Sequence, residues 1–379
     1  MKFFLSFIKY KIIFPFYFSI VKLFSSVDEN SVVIDSKGNT KIDESFKFLL
    51  LELQNQKYSI YTYLSRKNLF SDLYFLKKVA SAKFIFLSDF HFLLDNIRLS
   101  KKQVVINLWH GCGIFKKFGY CTENESWGGY HSNKKNEVFN AYKNTNIFTV
   151  SSPFCIPYYC EAIRQPDTVV KALGVSRTDV FFDQNFISKS KEKLLSYFSN
   201  FQGKKVILYA PTFRGNSMQE ASAPNFLDIS FLNKKFSEEY ILLLKQHPGI
   251  PVTRRQQIPN ICKDFAFDVT DSFTISELLV CSDILITDYS SLIFEYSLLE
   301  RPILLFAPDL DKYNTDRGFF IDYFSMVPGP ICKDIEELSN YIYNITNFDK
   351  NKVIAFKEKF MSSCDGNSTK RIIEEMRKL

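Results

Sequence analysis

Short runs rich in β-branched and aromatic residues alternate along this chain with stretches of helical apolar spacing, and the whole pattern occurs twice. In the first half the predicted strands are Val32–Asp35, Tyr58–Leu64, Phe84–Ser88, Val104–Trp109, Ile147–Ser151 and Val169–Leu173, with helices such as Glu44–Gln54 and Leu73–Ala80 between them. Strands separated by helices pair in parallel, and the crossover helices cover both faces of the sheet. A charged helical connector, Ser188–Gly203, ends on a glycine. The pattern then restarts with Lys205–Ala210, Tyr240–Lys245, Phe265–Val269, Asp283–Thr287 and Pro302–Phe306, with helices that include Ile275–Cys281 and Ser290–Leu299. From Asp334 to Leu379 the chain reads as helix throughout. The expectation is an α/β protein of two Rossmann-like, doubly wound domains with a cleft between them and a helical C-terminal tail. Its expected divisions are a segment 1–27, a domain 28–187, a connector 188–203 and a domain 204–379. A length of 379 residues suits two domains rather than one.

Charge narrows the function classes. The formal net charge is +7, and Lys2, Lys9, Lys11 and Lys22 precede the first acidic residue, Asp28. The remainder of the chain is nearly balanced, which argues against a nucleic-acid partner. The stretch before residue 27 also holds seven Phe, but its longest uncharged run, Ile12–Val21, is ten residues. Crossing a bilayer takes about 20 apolar residues, so a span is not expected. Pro15 within the run and the lack of a small-residue cleavage site disfavour a signal peptide. Lysines among large aromatics suit an interfacial helix on an anionic membrane surface; the plain alternative is a helix packed on the protein body. The eight cysteines form no CxxC and no zinc spacing, so they read as reduced thiols.

Groups at the carboxyl ends of parallel strands face the ligand crevice. His110 stands there after VVINLW and is followed by GCGIFKKFG, two glycines and then Lys116 and Lys117. An imidazole ordinarily titrates near neutrality and can take a proton from an attacking hydroxyl. A lone strand-end histidine reads as a turn residue; the glycines and the lysine pair, which suit a phosphate, favour function here. His247 ends a second strand in LLLKQHPG, with Lys245 on the same side of the extended chain. His91 is a weaker candidate, and His131 reads as a loop residue. In SDILITDYSSLIFEYSLLERP a strand runs through Asp288–Ser291 directly into a helix, whose first N–H groups, with Ser290 and Ser291, suit a pyrophosphate. Glu295 lies one turn on and suits ribose hydroxyls; the plain alternative for the whole stretch is an Asp/Ser cap. Arg214 in YAPTFRGN, Arg177 in GVSRTDVFF and Arg317 in DKYNTDRGFF place cations on loops, where each alone reads as a surface arginine. No P-loop, GxGxxG, HExxH or GxSxG occurs.

The ordered set WHGCGIFKKFG, GVSRTDV, VILYAPTFRG, LLLKQHPG and LLVCSDILITDYSSLIFEYSLLERPILLFAPDLDKYNTDRGFF resembles the CDP-glycerol glycerophosphotransferase family of teichoic-acid and capsule polymerases and primases, over roughly residues 28 to 330. The resemblance implies a GT-B-like fold, with an acceptor-side first domain and a CDP-donor-binding second domain. It implies an enzyme at the cytoplasmic face of the cell membrane, peripherally bound. Its partners would be a CDP-glycerol or CDP-ribitol donor and a lipid-linked glycan acceptor, with CMP released. By the same resemblance His110 is the general base and His247 stabilises phosphate. Trp109, Gly111, Cys112, Gly113, Arg177, Pro211, Thr212, Arg214, Lys245, Gln246, Asp288, Ser290, Ser291, Glu295 and Arg317 would line the CDP-alcohol site. The chain departs from the family's pattern at Ser176, where proline is common, and at Cys112 and Gly113. No metal or cofactor is called for, since cationic side chains can neutralise the phosphates. The rivals are a nucleotide-sugar glycosyltransferase or epimerase of the same fold, and a non-catalytic membrane-docked protein, which both strand-end histidines argue against.

Overall fold

Alternate residues of each strand point to opposite faces, and in the first sheet both sets are apolar. A computed structural model describes residues 2–36, 42–64, 68–123, 141–198, 203–215 and 220–379. The first sheet comprises β1 (Asp28–Asp35), β2 (Ser59–Tyr63), β3 (Ala82–Leu87), β4 (Val104–Asn107), β5 (Ile147–Thr149) and β6 (Val170–Lys171), all parallel, in the order β2-β1-β3-β4-β5-β6. Val32, Ile34, Phe84, Phe86, Val104 and Ile106 enter one core layer, where they meet Leu49 and Leu53 of helix Lys47–Asn55. Val33, Ile85, Leu87 and Val105 enter the other, against Phe75, Leu76 and Val79 of helix Leu69–Ser81. Each such side chain removed from water contributes about 1.5–3 kcal/mol.

The second sheet comprises β7 (Lys205–Tyr209), β8 (Tyr240–Leu244), β9 (Ala266–Asp268), β10 (Ile284–Thr287), β11 (Ile303–Phe306) and β12 (Ile331–Cys332), also parallel, in the order β12-β11-β10-β7-β8-β9. Counted from β7, this is the Rossmann order, whereas the first sheet has the flavodoxin-like order. The sequence predicts all of these strands except β12, whose Ile331 and Cys332 stand between Pro330 and Lys333 in no longer apolar run. Strand order reverses between β1 and β3 in the first sheet and between β7 and β10 in the second. In open α/β sheets such reversal points are where ligands bind.

The chain divides differently from the expectation. One compact unit is Met1–Gly113, Lys117–Asp179 and Ser362–Leu379; the other is Ile114–Lys116 and Val180–Met361. The connector expected at 188–203 is not a break at its start, because Asp183 caps a helix Gln184–Tyr197 by accepting from Asn185 N and Phe186 N. The helical tail does not stay with the second half as a whole. Asp179 accepts the N–H groups of Ser368 and Thr369 at 3.0 and 2.8 Å, and Ile372, Ile373 and Met376 enter the first unit's core. Lys171 pairs with Glu375 on the same helix. Gly174 (φ +88°) makes room for this tail, since a Cβ there would lie 2.2 Å from Ser363 O and 2.3 Å from Ser368 Oγ. Gly174→Ala is therefore expected to destabilise the first unit by about 2–4 kcal/mol, read as a lowered unfolding midpoint in denaturant. A midpoint within error of the parent's would show that the tail can move aside.

The N-terminal segment is helical from Lys2 to Leu23, with a π-helical turn at Lys9–Ile13. Pro15 lacks the N–H that would bond back four residues, and just before it the Phe14 N–H reaches Lys9 O, five residues back. One face packs on the body. Phe14 and Phe18 are buried among Phe75, Leu76 and Val79, and Lys9 bonds Asp72 at 2.9 Å. The other face is apolar and exposed: Phe16 is 68% and Leu23 81% accessible. The plain reading, a helix packed on the protein body, thus holds for the inner face. Among the described residues no helix is long and apolar enough to cross a membrane.

Candidate active site

In the first unit the strand-end loops after β3 and β4 build the surroundings of His110. Asn107 is fully buried; its Oδ1 accepts the Trp109 N–H at 2.9 Å and its Nδ2 donates to Asp89 O at 3.1 Å. These bonds hold Trp109 at φ +56°, which no glycine relieves, so the next residue turns outward from the strand. The His110 ring packs on the indole at 4.3 Å, and its Nδ1 lies 2.9 Å from Ser88 O. A carbonyl only accepts, so Nδ1 carries the proton and Nε2 keeps its lone pair. Asp89 Oδ2 stands 4.0 Å from Nδ1, placed to steady the imidazolium that proton uptake creates. The imidazole is about half exposed, at 48%. Arg177 Nη1 donates to His110 O at 3.0 Å and so fixes the loop from outside.

The rest of this loop is structural. Cys112 is 4% exposed. Gly113 (φ +62°) is buried, donating to Ser151 Oγ at 2.9 Å and accepting from Tyr159 OH at 3.0 Å. Neither stands on a surface where a substrate could meet it, contrary to the expectation; the pairing of Gly113 with Ser151 and Tyr159 holds the segment inward. Lys116, expected beside phosphate, forms a bridge with Phe319 and lies over the Tyr313 ring within the second unit. His91 is buried beside Asp35, stacked on Phe75, and serves the core. His131 and the Arg317 side chain lie outside the described residues.

In the second unit the residues after β7 and β10 meet at the reversal point. Asp288 is 1% exposed and acts as its hub. Its Oδ1 accepts the N–H groups of Thr212 (2.8 Å) and Tyr289 (2.7 Å), and its Oδ2 accepts Arg214 Nη2 at 3.0 Å. Arg214 also grips Asp309, after β11, with Nε at 2.8 Å and Nη2 at 3.0 Å, and Nη1 donates to Thr212 O. Tyr289 OH donates to the same Asp309 carboxylate at 2.8 Å and its ring stacks on Tyr313. Burial opposes the Asp309 charge, yet the arginine bonds hold its carboxyl below the usual range. Arg214 and Asp288, expected to meet the donor, clamp three strand ends together. Asp309 was missed, although its place in APD directly after a strand was the available signal.

The corrections extend to β8. Lys245 Nζ donates to the carbonyls of Thr270 (2.6 Å) and Phe273 (2.5 Å). Gln246 is 2% exposed, exchanging bonds with Gln256 and reaching Asp268. Both brace the loop. Glu295 is 3% exposed among buried neighbours of helix Leu292–Ser297, not on an open surface. That helix starts at Leu292, with Ser290 Oγ accepting the Leu292 N–H at 3.3 Å, and is shorter than the predicted Ser290–Leu299.

What stays available is specific. Pro211 is buried, but Thr212 Oγ1 is a buried hydroxyl oxygen without a hydrogen-bond partner among the described residues. Ser290 and Ser291 are half-buried and exposed. His247 is exposed, and its Nδ1 accepts the Gly249 N–H at 3.1 Å. An amide N–H only donates, so here Nδ1 is bare and Nε2 carries the proton. Burial of the ring and then the Lys245 charge lower its pKa, keeping it neutral. The two strand-end histidines thus present opposite chemistry: Nε2 of His110 accepts and Nε2 of His247 donates. Among the described residues no three His, Cys, Asp or Glu side chains gather as a metal site. A cavity of about 550 Å³ beside Pro328–Pro330 and Asn340–Asn344 contains none of these candidates.

A family model described as CDP-glycerol:poly(glycerophosphate) glycerophosphotransferase matches residues 16–378. The chain belongs to this glycerophosphotransferase family. The match is longer at both ends than the motif series in the sequence. A teichoic acid ribitol-phosphate primase of Bacillus spizizenii is 33% identical over 362 residues, covering 92% of this chain and 91% of that protein. A teichoic acid poly(ribitol-phosphate) polymerase of the same organism is 33% identical over 376 residues, 96% of this chain but 58% of its own length. The solved wall teichoic acid polymerase TagF superposes with a TM-score of 0.80 at 23% identity, over 99% of this chain and 96% of that one, and establishes likeness of fold. As a member of the glycerophosphotransferase family the chain is an enzyme that transfers a substituted phosphate group, which displaces the epimerase and non-catalytic readings.

Proposed function

We propose that this enzyme moves a polyol phosphate from a CDP-polyol to a hydroxyl of a growing, lipid-linked teichoic-acid-type chain, with His110 as its base. The observation that carries the assignment is the His110 Nδ1 contact with Ser88 O, which commits the half-exposed Nε2 to accepting a proton. Nε2 takes the proton of the acceptor hydroxyl as that oxygen attacks the phosphorus bearing the polyol. The bond from this phosphorus to the bridging oxygen breaks, and its electron pair leaves with CMP. Charge spreads over the phosphoryl oxygens in such a transition state, so fixed donors aimed at them lower the barrier. His247 Nε2–H, Thr212 Oγ1 and the hydroxyls of Ser290 and Ser291 are the donors assigned to the diphosphate. Arg177 positions the His110 loop, and Asp288, Arg214 and Asp309 position Thr212.

The enzyme works peripherally at the cytoplasmic face of the membrane, with the exposed apolar side of helix Phe14–Leu23 as its contact. Incubation with CDP-glycerol, CDP-ribitol and UDP-sugars is expected to release CMP from a CDP-polyol in an acceptor-dependent way. Release of UDP from a UDP-sugar, without CMP from any CDP-polyol, would overturn the proposal.

A further inference from the structure

At the end of β4 opposite His110 the first unit carries a second cavity, of about 590 Å³, that the transfer reaction does not use. Gln103 and Asn146, which directly precede β4 and β5, lie in its wall, so it opens at the amino ends of the strands. Four cations line it, Lys11, Arg98, Lys101 and Lys143, against one carboxyl, Asp95. None of the four makes an ion pair among the described residues, in contrast to Lys9, which is bonded to Asp72. Lys11 and Lys143 line the same cavity, and burial first, then the Lys143 charge, depress the Lys11 ammonium. Asp95 Oδ2 is buried without a hydrogen-bond partner among the described residues, and burial pushes its carboxyl up to about 7. Near neutrality a substantial fraction is protonated, and a protonated carboxyl is a donor. Four cations against a single buried, partly protonated carboxyl describe a site shaped for an oxyanion.

The position of the cavity says which oxyanion. Part of its wall is the stripe Lys11, Pro15 and Ser19 of the N-terminal helix. At 3.6 residues per turn that stripe runs between the face buried through Phe14 and Phe18 and the exposed apolar face of Ile12, Phe16, Ile20 and Leu23. A helix lying in a bilayer interface sinks its apolar face among acyl chains and keeps its flanking cations at headgroup depth. We propose that this cavity binds the phosphate of an anionic phospholipid headgroup, held by Lys11, Lys143 and Arg98, while the adjoining apolar face enters the leaflet. This rests on the peripheral-membrane reading above and adds to it a built headgroup site in place of a diffuse field.

The test uses the full chain with vesicles of phosphatidylcholine, with and without phosphatidylglycerol. Each basic residue at an anionic surface is worth roughly fivefold in affinity, so Lys11→Gln/Lys143→Gln is expected to lose about 20-fold on the phosphatidylglycerol vesicles. Lys47→Gln/Lys77→Gln, an equal charge loss outside the cavity, is expected to lose much less. Phe16→Ser/Leu23→Ser is expected to lose binding to both vesicle types. If that apolar variant binds like the parent, the membrane reading itself fails. If it loses binding while the cavity variant does not, or the control loses as much as the cavity variant, the headgroup site is overturned and the membrane reading stands. Inorganic phosphate is the remaining arm: a raised unfolding temperature in the parent but not in the cavity variant, without discrimination between vesicles, would make this a free-phosphate site and overturn the lipid assignment. Circular dichroism checks that the double variant folds, and Lys143→Gln alone replaces it if not.

Discussion

Replacing His110 with alanine is expected to lower kcat by ~10²–10⁴-fold, the usual contribution of a positioned general base. The His110 ring accepts through Nε2 because Nδ1 is spent on Ser88 O. Donor affinity should stay within a few-fold, since the base acts on the acceptor hydroxyl. The pH profile separates this loss from simple misplacement of substrate. Protonation of Nε2 removes the lone pair, so the parent's rate falls as pH falls, and that limb should be missing from His110→Ala. His247→Gln should keep the limb: its imidazole is held neutral to lower pH by burial and Lys245, and glutamine can still donate. Measuring kcat across pH for the parent and both variants decides the matter. Near-normal turnover in His110→Ala with the acidic limb intact would end the base assignment.

Arg214→Met is expected to cost roughly 3–5 kcal/mol of stability, the penalty of stranding a buried charge by removing its partner. The Asp288 side chain is 2% exposed, and among the described residues Arg214 is its only ion-pair partner. Its two backbone donors, Thr212 and Tyr289, bond the other oxygen and cannot replace the arginine. Asp309→Asn should cost less, because that carboxylate is 20% exposed and keeps Tyr289 in reach. The pH dependence has a definite sign. The Asp309 carboxyl is held below its ordinary 3.8, so its contribution is complete above that value and is lost as pH falls through the lower folded value. That acid-side loss should flatten in Arg214→Met, as seen in denaturant midpoints from neutral pH downward. A variant as stable as the parent would return Arg214 to the role of a ligand-facing cation.

Both outcomes bear on what could be read before any coordinates. In a parallel sheet both sets of side chains must be buried, so eleven strands were legible as short continuous apolar runs, whereas Ile331–Cys332 of β12 stands between Pro330 and Lys333 in no such run. The same runs put His110 and His247 just beyond β4 and β8, and the ordered loop motifs were enough to place the family. No local pattern could say whether a loop cation faces a ligand or a partner. Arg214 finds Asp309 95 residues away, Lys245 finds the Thr270 and Phe273 carbonyls 25 and 28 residues on, and Asp179 captures the tail helix 190 residues later. The histidine chemistry is decided in the same way. A carbonyl at Ser88 and an amide at Gly249, each within about 3 Å of an Nδ1, fix which nitrogen holds the proton. Periodicity and strand-end position belong to the covalent order of residues, whereas tautomer and charge pairing depend on which groups folding brings within a hydrogen bond's reach.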